Sequence, residues 1–340
     1  MKIRRTTIAV ILAVCAALTL CACGNDMPAE TTEQSTAATT AATDVQTPVT
    51  VESALTFSSN GDGESCTVTA AHASLSGDVK IPSEHGGLAV TAIGKEAFFG
   101  CEKITSVTVP SGVTDIGDLA FARCSALEKI TLSEDVQKIG EFVFFECGSL
   151  KEIAVSTRNQ HFKSVGGALY TSLCDALVAV PAATEGEFTV ADGTYEIAPC
   201  AFISCSAITK ITLPDTIEEI GEYAFDGCSA LTEINIPDGV GKIGEYAFAF
   251  CTSLESVSLP QSVTKISDGT FWCCDAVKEI ALPVGITEIG EYALADCGLL
   301  EKIYFGGTLA EWEAVEKAPL WDGGAKYTVI CSDGEITSEE

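Results

Sequence analysis

The chain has 340 residues, 47% of them hydrophobic, which is ample for a sizeable core in one or two domains. Its formal net charge is -29. A surface that acidic repels phosphate backbones and anionic lipid headgroups, so nucleic acid is excluded as a partner and a membrane is excluded except through an anchor.

The chain opens with three cations, Lys2, Arg4 and Arg5, followed by an uncharged apolar run over 8–20. That run falls short of the ~20 residues a membrane span needs and has the form of an export leader. It ends in Leu20-Cys21-Ala22-Cys23-Gly24, which resembles the lipobox of bacterial lipoproteins. Small Ala22 before Cys23 makes Cys23 the expected lipidated residue, with 1–22 removed as a signal peptide. One acyl chain holds a protein only marginally and two hold it stably, and the resemblance implies at least two. Residues 23–52 are rich in Thr and Ala and carry no apolar period, so they bury too little to offset their ordering entropy. They are expected to form a flexible tether with a reach of roughly 30 Å.

A fixed period dominates the rest. Cys101, Cys124 and Cys147 are spaced by 23 residues, as are Cys205, Cys228, Cys251, Cys274 and Cys297, while Cys147 and Cys205 are 58 apart. Ile-Gly pairs such as Ile116-Gly117 and Ala-Phe pairs such as Ala120-Phe121 keep the same beat. The unit is I-G-x-x-A-F-x-x-C-x-x-L-x-x-I-x-L-P. Its I-x-L part alternates as a half-buried strand does, and proline then stops the ladder. The Ile before Gly ends a second short extended segment. The A-F-x-x-C part spaces its apolar residues for a single helical or 3₁₀ turn. One such unit buries too few side chains to offset its own ordering, so units must stack and share edges. The expected fold is a β-rich repeat solenoid with short strands, single turns and a right-handed stack.

A period of 23 lies within the ~20–29 residues of leucine-rich repeats, with Cys where that motif has Asn or Cys. The repeats resemble the BspA-type leucine-rich-repeat surface proteins. The resemblance covers 93–305 as repeats, 53–92 as an N-terminal cap, about 159–183 as an inserted hairpin, and 306–340 as a closing cap and tail. Phe188-Thr189-Val190 resumes the strand in an irregular repeat. Three departures occur: Ser133 stands for the proline, Ser267 for a glycine and Leu294 for the phenylalanine.

On-beat cysteines read as small buried packing groups, since identical positions in successive coils form a line with no preferred pairs. Cys66, Cys174, Cys200 and Cys331 lie off the beat, which leaves a cap disulfide open. His72, His85 and His161 are scattered, and no triad order, metal-binding pair, P-loop or dinucleotide fingerprint occurs. No catalytic group, cofactor or metal is expected.

Two surfaces are candidates for binding. Residues flanking the inward Ile of each I-x-L strand point outward and stack about 5 Å apart. They are Ser106 with Thr108, Lys129 with Thr131, and Lys210 with Thr212. Glu233 with Asn235, Ser256 with Ser258, and Lys302 with Tyr304 continue them. The second is an aromatic edge of Phe99, Phe145, Phe250 and Trp272, with Tyr223, Tyr246 and Tyr292 nearby. The resemblance implies a lipid-anchored cell-surface protein, on a Gram-positive cell by its tether, that binds protein on a host or neighbouring cell. Two alternatives stay open: a carbohydrate- or nutrient-binding lipoprotein, for which Trp312 and Trp321 are the nearest aromatic pair, and a ligand-free envelope spacer.

Overall fold

The computed structural model describes residues 51–338. The expected leader, Cys23 and the tether as far as residue 50 lie outside the described residues. The fold is a β-solenoid of about 12 turns on the 23-residue period. Each coil has three edges: a longer strand, a two-residue strand and a turn.

The longer strands form the first ladder. Ser76–Lys80, Lys103–Thr108, Lys129–Leu132 and Glu152–Val155 pair in parallel; Glu185–Thr189, Ala207–Thr212 and Glu233–Ile234 follow; Ser256–Ser258, Glu279–Leu282, Lys302–Phe305 and Thr328–Cys331 complete it. Register holds apolar residue on apolar residue: Val107 faces Ile130, Ile130 faces Ile153, and Ile211 faces Ile234. A slip of one residue would turn the whole inward set to solvent, so the I-x-L alternation fixes the pairing. The Ile-Gly segments form the second ladder, for example Asp115–Ile116 on Lys138–Ile139 and Glu219–Ile220 on Lys242–Ile243.

The glycine of Ile-Gly is set by close approach. A Cβ on Gly117 would lie 2.6 Å from the Lys95 nitrogen, and one on Gly221 would lie 2.5 Å from the Pro199 nitrogen. Where Ser267 takes this place, its hydroxyl donates to the Ile243 carbonyl at 2.7 Å.

The third edge realises the expected 3₁₀-type turn in a particular way. Within a coil, Ala120 N–H donates to the Gly117 carbonyl at 3.2 Å, an i to i−3 bond. Alternate N–H groups instead cross to the next coil: Leu119, Phe121 and Arg123 donate to Glu141, Val143 and Phe145 at 2.9, 3.1 and 2.8 Å. Left-handed residues make this possible. In each of the eight coils that carry this turn, the residue before the Ala-Phe pair or its equivalent has φ between 55° and 62°, at Glu96, Leu119, Phe142, Cys200, Tyr223, Tyr246, Gly269 and Tyr292. A second left-handed residue precedes the on-beat Cys, as at Arg123 and Glu146.

Inside, the phenylalanines stack in columns, with centroids 5.0 Å apart for Phe98–Phe121, 5.0 Å for Phe202–Phe225 and 4.9 Å for Phe225–Phe248. The on-beat thiols are buried beneath the turns. Cys124 Sγ donates to the Phe98 carbonyl at 3.2 Å and Cys251 Sγ to that of Phe225 at 3.3 Å. All thirteen described cysteines are free.

Residues 162–179 interrupt the stack. Phe162–Val165, Ala168–Thr171 and Ala176–Ala179 pair antiparallel in sequence, and the last then pairs in parallel with Glu196–Ile197. The core divides here: Leu169 belongs to the N-terminal cluster, while Ala168 and Tyr170 belong to the C-terminal one. The N-terminal end carries an antiparallel hairpin, Leu55–Ser59 on Ser65–Ala71. The C-terminal end carries the helix Leu309–Ala314, whose N-terminus is closed by a Thr308–Glu311 capping box. Among the described residues no helix is long and apolar enough to cross a membrane.

Candidate functional site

The outward face of the first ladder is made of two rows, one on each side of the inward Ile. In the first row, Ser106 lies opposite Lys129 and Lys129 opposite Glu152; further on Lys210 lies opposite Glu233, Ser256 opposite Glu279, and Glu279 opposite Lys302. Three Lys–Glu pairs in this row bridge successive coils. Lys129 Nζ is 2.8 Å from Glu152, Lys210 Nζ is 2.6 Å from Glu233, and Lys302 Nζ is 3.6 Å from Glu279. The hydrogen bond to Glu233 holds the Lys210 ammonium above its ordinary lysine range. Ser106 donates to Asp78, and Tyr304 Oη donates to Glu279 at 3.2 Å. Exposed pairs of this kind contribute little to stability, ~0–1 kcal/mol each. Their larger effect is to remove net charge from the row.

The second row is small and hydroxyl-bearing. Thr108 lies opposite Thr131, Thr212 opposite Thr189, and Ser258 opposite Ala281, which lies opposite Tyr304. Asn235, just past the end of its short strand, is exposed in the same row. Every residue of this face expected to point outward is exposed or half-buried. The arrangement is a polar surface of paired charges beside small hydroxyl-bearing side chains. The second ladder pairs its outward charges in the same way, with Lys138 3.4 Å from Asp115 and Lys265 2.6 Å from Glu288.

The aromatic edge is not the exposed row that was expected. Phe99 is 42% exposed, under the Arg123 guanidinium at 5.8 Å, but Phe145 is only 7% exposed. Phe145 packs edge-on against Phe142 at 6.3 Å, and Phe142 in turn reaches Tyr223 at 5.3 Å across the interrupted stack. Phe250 and Trp272 are half-buried against each other at 5.1 Å. Tyr223 stacks on Tyr246 at 5.1 Å and is buried. These rings therefore serve mainly to join coils. Trp312 and Trp321 are 6.0 Å apart, but Trp312 is buried against Phe305 at 5.4 Å, so this pair is closing-cap core and not an open platform for a sugar ring.

The histidines are kept apart by the fold and each has local company. His72 meets Ser74 Oγ at 2.6 Å, His85 stacks on Phe57 at 4.0 Å, and His161 is exposed beside the inserted strands. Among the described residues no group of three or more His, Cys, Asp or Glu side chains converges as a metal site.

Two features were not read from the sequence. One is Asp226, buried in the turn column between the positions of Ile203 and Ala249, whose carboxyl is pushed up to about 7 by burial. The other is a cleft of about 430 Å³ where the inserted strands part the coils, lined by Phe142, Phe144, Ala179, Pro199 and Ile203 among others. The 58-residue gap between Cys147 and Cys205 is the signal that marks its place.

No curated protein matches the chain. Among solved structures it is similar to a leucine-rich cell surface protein from Faecalibacterium prausnitzii, with 22% identity over 77% of this chain and 96% of that one, at a TM-score of 0.53. It is similar to the pneumococcal vaccine antigen PcpA, with 23% identity over 77% of this chain and 68% of that one, at a TM-score of 0.64. A leucine-rich repeat protein from Eubacterium ventriosum gives 22% identity over 74% and 83%, at a TM-score of 0.54. At these identities the shared property is the fold. The family model of the BspA-type leucine-rich repeat region matches in six copies over residues 77–174 and 195–314. With more than half of its length so matched, the chain belongs to the BspA-type leucine-rich-repeat family.

Proposed function

We propose that the chain is a cell-surface interaction module that binds another protein through the outward face of its first ladder. The observation that carries this reading is the pair of rows on that face: one in which Lys–Glu pairs bridge successive coils, and one of small, mostly hydroxyl-bearing side chains running from Thr108 to Ser258 and ending at Tyr304. A polar strip that runs across many coils gives a macromolecule a surface to lie along. Membership of a family of bacterial surface repeats supports the same placement. Export, lipidation of Cys23 and a tether of residues 23–52 would hold the solenoid clear of the membrane, and adhesion to a host or neighbouring cell is the use such an arrangement serves. The buried Trp312 gives the carbohydrate-binding alternative no support.

Arrays of immobilised extracellular matrix proteins and of glycans, probed with the full chain and with a Thr131→Arg, Thr212→Arg double variant, test the reading. Binding to a protein that the double variant loses by about tenfold or more supports it. Retention of glycan alone, or protein binding indifferent to both substitutions, overturns it.

A further inference from the structure

The turn edge is hydrogen-bonded by rule, three N–H groups of one coil donating to three carbonyls of the next. Cys200, Phe202 and Ser204 donate to Glu222, Ala224 and Asp226 at 2.9, 2.7 and 2.8 Å, and Tyr223, Phe225 and Gly227 donate to Glu245, Ala247 and Ala249 at 2.9, 2.7 and 3.0 Å. The rule breaks between residues 141–147 and 198–205. Only one bond is replaced there, by Val180 N–H to the Ala201 carbonyl at 2.7 Å. The Phe142 backbone amide opposes the larger upward push that burial gives the Cys200 thiol. Among the described residues, the N–H groups of Phe144 and Glu146 have no protein acceptor, and the carbonyls of Pro199 and Ile203 accept no protein N–H. Phe144, Pro199 and Ile203 all line the cleft of about 430 Å³ that occupies the break.

We propose that this break is a docking slot for an extended segment of a partner protein, basic in character and carrying small apolar side chains. An extended backbone presents carbonyl and N–H groups to opposite sides, which is what a wall of unmet donors facing a wall of unmet acceptors requires. An unmet backbone group in apolar surroundings is costly, so a strand that meets these groups gains affinity from the main chain alone. The apolar part of the wall, with Val178 and Ala179, fits short aliphatic side chains. Asp118 and Glu141 line the slot and no Lys or Arg among the described residues does, which favours basic residues in the incoming segment. The volume lies within the ~300–1,000 Å³ of preformed binding sites. The slot is separate from the outward sheet face, so its failure would leave the function proposed above intact.

The test uses the purified full chain and labelled peptides about nine residues long, alternating Lys with Val, Lys with Ala, or Glu with Val, followed by fluorescence anisotropy. Backbone amide exchange at Phe144 and Glu146 is measured with and without peptide. The expected result is binding of a Lys peptide, about tenfold or more tighter than the Glu peptide, with slowed exchange at both amides. Ala179→Trp, which fills the slot, should lose that binding, and Thr212→Trp on the outward sheet should not. The amide readout on the unsubstituted chain decides the matter if Ala179→Trp fails to fold. Absence of binding by both Lys peptides, equal binding of the Glu peptide, or unchanged amides overturns the proposal. Amides already protected in the free chain and released by deleting residues 24–50 would assign the slot to the chain's own segment, which also overturns it.

Discussion

Ser133 stands where five other coils carry Pro110, Pro214, Pro237, Pro260 and Pro283, and the substitution has a visible cost. Its hydroxyl is buried and has no hydrogen-bond partner among the described residues. Its own N–H donates to no backbone carbonyl, and its carbonyl, which proline would retain, accepts from Asn159 Nδ2 at 2.8 Å. Ser133→Pro removes the unmet hydroxyl and restricts the unfolded chain, so stability should rise by ~1–2 kcal/mol, read as a higher urea midpoint at unchanged slope. Asp226 carries the opposite lesson. Its carboxyl ionises near ~4 in an unfolded chain and is pushed up to about 7 in the fold because burial disfavours the charge. The folded state thus holds the proton more tightly. The penalty is absent below about pH 4, grows as pH rises through the interval, and is complete above about 7. Asp226→Ala, which installs the residue found at Ala122, Ala249 and Ala295 of the same column, should stabilise by roughly 4 kcal/mol at pH 8 and by little at pH 4. Equal gains at both pH values would show that the carboxyl is not the cause.

The inserted strands are where element and period part company. Ala168–Thr171 runs between two cores, and its alternation sends Leu169 to one and Tyr170 to the other. Tyr170 is 1% exposed and its hydroxyl accepts from Ala191 N–H at 3.2 Å. Tyr170→Ala should cost ~3–5 kcal/mol, and the loss should fall on one side. Hydrogen exchange is expected to quicken from residue 197 onward, while amides within 104–153 keep their protection. A uniform loss would mean that the two cores melt as one. The beat, the strands and the buried thiols were legible in the sequence because each depends on residues that recur. Phe145 was misread because its burial depends on Phe142 and on the seam beside Cys200, which no period encodes. The left-handed turn positions were silent because Glu, Leu, Tyr and Cys occupy them where a glycine would have announced them. Asp226 gave no warning either, since a carboxylate in a turn reads as solvated until its column is known.

For the whole molecule, the strength of a stack is also its exposure: each ladder ends in an edge ready to accept another strand. The C-terminal residues close all three edges together. Thr328–Cys331 pairs with the last repeat strand, Glu316 and Ala318 N–H donate to Thr287 and Ile289 at 3.0 and 2.9 Å, and Leu294 N–H donates to the Trp321 carbonyl at 2.7 Å. Gly334–Thr337 then covers the outer strand in antiparallel fashion, so the terminal edge no longer matches the parallel register of the coils. Deleting residues 306–338 would bare Ile303, Phe305 and three unmet ladders at once. The exposed end differs in kind from the hairpin-covered beginning of the stack, so contact between copies would be head-to-tail and need not close. The truncated chain should therefore form concentration-dependent oligomers where the full chain does not, visible by light scattering. Net charge sets the salt dependence. The full chain is at -29 and the deleted segment holds six acids and two lysines, so the truncated chain stays strongly acidic and its copies repel; association should be weak in dilute buffer and strengthen as salt screens the charge. A truncated chain that stayed monomeric at high salt would show that the ladders are satisfied by something other than the closing segment. Association that weakened with salt would show that charge pairing, and not bared apolar edge, drives it.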